Sequence, residues 1–401
     1  MRSSAVARIM CITFENSAGF ANVRISRSNK SRLEIGSNGY RTLVAQSREF
    51  RFVVRCCQSA FADPAACGAF PKTKGLDWSR FLRLARFHRV QGLVWKGISG
   101  RKSQVPASVS EALAADATAI AATNLHVALH CRTLLADFMQ ARMPLLFLKG
   151  LAVGALAYGS AGVKSAVDVD LLIAPDELDC AAELLDHRGY VLTIPKGDRA
   201  RLRQWHGVRK ESVWVAPDSG VQIDLHTRAA DNPQMIPAIS ADSPTRLVDV
   251  GNGIQLPTLE STETFAYLAV HGASSAWFRL KWICDFAALL ADKSPSELDA
   301  LYRKSLRLAA GRAPAQALLL ADRLFGTLTD NAALKAELLQ DRASKLLYRA
   351  ALTQLAGRPE PIEPTSRRLG TLRIHWTQFL LMPGLRFKGA ELLRQARAPL
   401  A

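Results

Sequence analysis

Residues 167–173 read V-D-V-D-L-L-I. A short run of this apolar character is a buried strand. Strand side chains alternate between faces, so Asp168 and Asp170 leave the same one. Two carboxylates so close repel, and burial raises the cost of each charge. A divalent cation removes the conflict, and Mg²⁺ is suited to carboxylate oxygens, waters and substrate phosphates. The residues upstream complete a strand–turn–helix–loop–strand unit. Residues 144–148 (P-L-L-F-L) are a strand-length apolar run, and Lys149-Gly150 closes it. Residues 151–158 have room for two helical turns, and a Gly- and Ser-containing loop leads on to the aspartates.

A third carboxylate recurs downstream. Asp224 lies in V-Q-I-D-L-H, after the turn P-D-S-G at 217–220. Residues 212–216 (S-V-W-V-A) are the opposing arm, so 211–228 reads as a hairpin. Two aspartates on one strand and a third on its neighbour suit two-metal phosphoryl transfer. His226 follows Asp224 by two and shares its face, where it would touch a phosphate or orient Asp224.

Four motifs now stand in order: Lys149-Gly150; D-V-D and its apolar run; I-D-L-H; and H-G-A-S-S-A-W-F-R-L-K-W-I-C-D-F at 271–286. Together they resemble the uncharacterised nucleotidyltransferase-like family of bacterial proteins, within the nucleotidyltransferase-fold superfamily of polymerase β type. The resemblance runs over roughly residues 50–390 and is densest at 145–290. It implies an α+β (mixed α/β) fold, with a small mixed sheet flanked by helical regions on either side. It also implies metal-dependent transfer of a nucleotidyl group from an NTP to an acceptor, a small molecule, peptide or protein. Asp168, Asp170 and Asp224 would be the catalytic residues and would hold Mg²⁺ or Mn²⁺. Phosphate would meet the backbone at Gly150 and the helix N-terminus beyond it, where free N–H groups and the dipole converge. Lys149 or Lys164 would neutralise transition-state charge. His206, in the W-H-G of 205–207, and His226 would face the cleft. In two places the chain departs from the superfamily. Gly150 is followed by Leu151 rather than Gly or Ser, and Lys164 stands where Arg is common, keeping the charge without the bidentate fork. These departures support the alternative, a catalytically inactive nucleotide- or partner-binding protein of the same fold.

The charge of +17 is concentrated at the ends. Residues 1–60 carry +7 and residues 365–401 carry +6, which leaves a near-neutral middle and disfavours a groove for long nucleic acid. The organisation expected is a basic, disordered extension at 1–48, a helical region at 49–143, the catalytic core at 144–258 and a second helical region at 259–401. Within the first helical region, Asp77 is an N-cap and residues 108–141 form one long helix. Arg80, Arg83, Arg86 and Arg89 form a solvated basic face. Seven cysteines are scattered without a C-x-x-C pair, which favours free thiols in a reducing cytoplasm. No stretch is read as a membrane span, and Arg8 interrupts the first apolar run, so no secretory signal is expected.

Overall fold

The computed structural model describes residues 46–62, 70–166, 168–196, 199–356, 362–364 and 370–397. The expectation of disorder at the N-terminus lies almost wholly outside these residues.

The first helices are fixed by their caps. Ser47 opens α1 (Arg48–Ser59) by accepting from the Phe50 amide at 3.1 Å. Asp77 opens α2 (Trp78–Phe87) by accepting from the Arg80 amide at 2.9 Å, as the sequence predicts. The chain then turns at Arg89, held at φ 55°, into α3 (Gln91–Ile98). α1 and α3 pack closely: a Cβ added at Gly97 would come within 1.9 Å of the Cys56 carbonyl oxygen.

The long helix predicted at 108–141 is α4 (Ala107–Gln140). By length and composition it could cross a membrane, with a mean hydropathy of 1.3 over 18 residues, and 22% of that window is buried. The sequence reading takes no stretch for a span. One helix of this kind does not establish a span.

Seven strands follow among the described residues, five of them in one mixed sheet ordered β1-β2-β5-β4-β3. β1 (Leu146–Phe147) leads through Lys149-Gly150 to α5 (Leu151–Tyr158), and β2 (Asp168–Leu172) carries the first aspartates. Then come α6 (Leu178–His187), β3 (Val191–Ile194), α7 (Leu202–Val208), β4 (Glu211–Val215) and β5 (Gln222–His226). β2 and β5 are parallel, with Asp170 opposite Asp224. β4 and β5 form the predicted antiparallel hairpin, with Glu211 opposite His226 and Val213 opposite Asp224.

Strand parity then separates the two faces of the sheet. Val169, Leu171, Ile223, Leu225 and Trp214 share one face with Ser212, and all but Ser212 join the apolar core formed with the end of α4 and with α6. Asp168, Asp170, Gln222, Asp224, His226 and Glu211 share the other. One face thus binds the sheet to the protein and the other is left for chemistry.

The hairpin β6 (Thr245–Asp249) and β7 (Gln255–Leu259) was not read from the sequence. The second helical region is α8 (Ser261–Ser274), α9 (Leu280–Ala288), α10 (Pro295–Arg307), α11 (Ala313–Phe325), α12 (Ala332–Leu338), α13 (Arg342–Ala356), α14 (Leu372–Gln378) and α15 (Leu385–Ala396). Ser294 and Glu297 make a reciprocal capping box at α10. α8 and α9 share a core with α1–α3 and lie over the polar face of the sheet through Tyr267 and His271. Their link is tight. A Cβ at Gly272 would come within 2.4 Å of the Trp277 indole, and Ala276 and Trp277 both take positive φ. That close approach accounts for the glycine in H-G-A-S-S-A-W.

Candidate active site

Lys149 lies between the two aspartates of β2. Its Nζ is 2.7 Å from Asp170 Oδ1 and 3.8 Å from Asp168 Oδ2. The backbone imposes this, because the Leu148 amide donates to the Asp170 carbonyl and brings the next residue alongside. Burial alone would favour neutral groups. The pair outweighs it, holding Lys149 well above its ordinary value and Asp170 well below. The repulsion foreseen between Asp168 and Asp170 is therefore already relieved by a cation of the chain itself.

The strain falls on Asp224 instead. Burial, then the charges of Asp170, Asp168 and Glu211, push its carboxyl up to about 8. It accepts one hydrogen bond, from Gln222 Nε2 at 2.8 Å. Asp224 in the free protein is thus mostly protonated at neutral pH.

His226 Nε2 lies 3.0 Å from Asp170 Oδ1 and 3.2 Å from Glu211 Oε2. Glu211 is also paired with Lys210. Burial would raise the Glu211 carboxyl, but Lys210 and His226 bring it down to about 2. Asp170, Glu211, Asp224 and His226 each offer one ligand atom, and these four atoms lie within 4.8 Å of one another. Asp170 Oδ2 is buried and has no hydrogen-bond partner. An orphaned buried carboxylate oxygen beside three further donors is a fit for a hard divalent cation. Asp168, more exposed, is not one of the four but lines the same cavity.

That cavity, about 290 Å³, lies between sheet and helices. Asp168, Lys149, Lys210, Glu211 and Asp224 form one wall, and His271, Ser274, Ser275, Lys281 and Trp282 of α8, α9 and their link form the other. Arg89 closes one edge, so one member of the basic face expected to be solvated turns to the site. Lys281 is nine-tenths buried, and burial lowers its ammonium to about 8 even though Asp168 favours the charge.

Every wall residue named here falls within residues 74–326, the span matched by the family model described as uncharacterised nucleotidyltransferase. The chain belongs to that family. No curated protein matches it. The stretch 271–286 supplies the helical wall of the cavity.

Gly150, at φ 65° and ψ −123°, precedes α5 as its cap, in a conformation that favours glycine. Lys164 is buried in an ion pair with Asp285 at 2.7 Å, and Asp285 also accepts from Tyr158 at 2.8 Å. It lines a small hollow with Gly150, Asp168 and Lys281, but its charge is already engaged. His206 is buried on α7 with Nδ1 2.9 Å from the Thr227 hydroxyl, and burial pushes it down to about 4. It is not among the residues that line the cavity. Glu211, Lys210, Arg89, His271 and Lys281 were not among the predicted site residues. Glu211 had a signal: in a hairpin turning at 217–220, it falls opposite His226 and on the Asp224 face.

Proposed function

We propose that the protein transfers a nucleotidyl group from an NTP to a small-molecule or peptide acceptor, with Mg²⁺ or Mn²⁺. The observation that carries this reading is the register pair Asp170–Asp224, with an orphaned Asp170 oxygen and four ligand atoms gathered at one point. Asp168, Asp170 and Asp224 would hold the metal, with Glu211 and His226 as further donors. When bound, the cation supplies charge neutralisation at the nucleotide phosphates. Lys149 orients Asp170 and adds positive charge beside the phosphates. Gly150 lets the backbone approach them at the start of α5. Asp224, at about 8 in the free protein, would help activate an acceptor hydroxyl once the cation holds it deprotonated. The free thiols at Cys56, Cys57, Cys131, Cys180 and Cys284 support a reducing compartment, the cytoplasm.

One observation favours the inactive reading: a protein cation, Lys149, already satisfies the aspartate pair. Thermal melts with Mn²⁺ and each NTP, together with a pyrophosphate-release assay, separate the two. A ligand at about a hundred times its dissociation constant stabilises by ~2.7 kcal/mol. The nucleotidyltransferase reading expects metal and NTP to shift the melt together, pyrophosphate release on addition of acceptor, and loss of both in Asp168→Asn with Asp170→Asn. A wild-type melt unmoved by all four nucleotides would leave the inactive reading standing.

A further inference from the structure

α15 is built with its polarity reversed. A surface helix ordinarily turns its apolar stripe inward. Here the inward face carries Phe387 with Glu391, which is buried and ion-paired to Arg394. Asn232 Nδ2 donates to Glu391 at 3.1 Å and Gln395 Nε2 at 2.7 Å. The outward face carries Leu385, 86% exposed, Leu392, 62% exposed, and Leu393, 50% exposed. With Gly389 and Ala396 these positions form one stripe at helical spacing. Arg386 and Arg397 flank it on one side and Lys388 on the other.

α14 adds to the surface. Gln395 Nε2 donates to the His375 carbonyl at 2.9 Å, which ties the two helices together, and α14 exposes Leu372, Arg373 and Trp376. Glu391 is the one carboxylate in residues 370–397, and it is buried with Arg394. Among the described residues, Arg373, Arg386, Lys388 and Arg397 make no ion pair.

We propose that this face docks on the surface of an anionic lipid bilayer. Exposed leucines flanked by bases, with a tryptophan nearby, match the chemistry of an interface whose headgroups are negative and whose acyl boundary is apolar. A second copy is a poor occupant, because a symmetric contact would set these bases against each other with no carboxylate between them. A nucleic acid would engage the bases and leave the leucines in water. Asn232, which holds Glu391, follows Asp231 on the wall of the cavity, so α15 lies behind one wall of the site without entering it.

The test is sedimentation of the full chain with phosphatidylcholine vesicles, with and without phosphatidylglycerol. Two variants accompany it: Leu385→Gln with Leu392→Gln, and Arg386→Gln with Lys388→Gln and Arg397→Gln. All five side chains are exposed, so circular dichroism and melting should match wild type. The expected result is binding that requires phosphatidylglycerol, is lost in the leucine variant and weakens on the order of a hundredfold in the base variant, about fivefold per charge. Absence of wild-type binding, or undiminished binding by both variants, would overturn the proposal. So would a dimer in solution that the leucine variant dissolves, since the apolar face would then be covered by another copy.

Discussion

Replacing Asp224 by Asn should stabilise the metal-free protein, whereas replacing Asp170 by Asn should weaken it. Both are buried carboxylates opposite each other on paired strands, so residue type and burial do not separate them. Their electrostatics do. Asp224 titrates at about 8 against an ordinary 3.8. At pH 7 the unfolded chain holds it ionised, and folding must supply a proton. The cost is ~1.4 kcal/mol per pH unit above 3.8, or about 4 kcal/mol at pH 7. Asn resembles the protonated carboxyl and removes the cost, so ~4 kcal/mol is the ceiling of the gain. Asp170 is the reverse case, lowered by Lys149 and His226 against burial. Its neutral variant leaves Lys149 buried with the more distant Asp168, and breaking a buried pair costs ~3–5 kcal/mol.

The sign with pH follows. A carboxyl whose folded pKa is raised is most stabilising below its unfolded value and loses that contribution as pH rises through the folded one. Wild type without metal should therefore lose about 2 kcal/mol between pH 6.5 and 8 through this group, and Asp224→Asn should not. The buried histidines shift wild type and variant alike over this window, so the difference in slope between the two isolates the Asp224 carboxyl. Urea melts in chelator over this range measure both effects. With m near ~3 kcal/mol per molar, the Asp224→Asn midpoint at pH 7 should rise by about 1 M. A lower midpoint for Asp224→Asn, or a pH slope unchanged from wild type, would refute the electrostatic reading of the site.

Three further outcomes are expected. Lys164→Met should destabilise by ~3–5 kcal/mol in urea melts, because Asp285 would stay buried with Tyr158 as its remaining partner; Lys164→Met with Asp285→Leu should recover most of this. Gly150→Ala should cost ~1–3 kcal/mol in the same melts, since φ 65° with ψ −123° suits few residues with a Cβ. On the acid side, His88 and His206 are held neutral by burial, at about 3 and about 4, so stability should fall as pH drops below ~6.5 and the unfolded chain takes up protons; His206→Gln should make that fall shallower.

Local rules made much of the site legible from sequence. Strand alternation sets Asp168 and Asp170 on one face, and the P-D-S-G turn sets the hairpin that carries Asp224 and His226. Apolar period and capping residues marked α2 and α4, because a 3.6-residue repeat and an N-cap act within a few residues of themselves. The β6–β7 hairpin is hidden in the sequence because Pro257 obscures the second strand, although Gly251, Asn252 and Gly253 mark its turn.

Tertiary structure decided the charges and the far wall. Nothing in Lys149-Gly150 says that the lysine reaches back to Asp170 while Lys164 turns away to Asp285, because partner choice depends on which groups burial brings within a few ångströms. Arg89 joins the cavity from the turn before α3, and His271 and Lys281 join it from α8 and α9, all distant in sequence from the aspartates. The elevated carboxyl at Asp224 belongs to no motif. It arises where two strands, a lysine claimed by a neighbouring aspartate and a layer of covering helices remove water from a third negative charge.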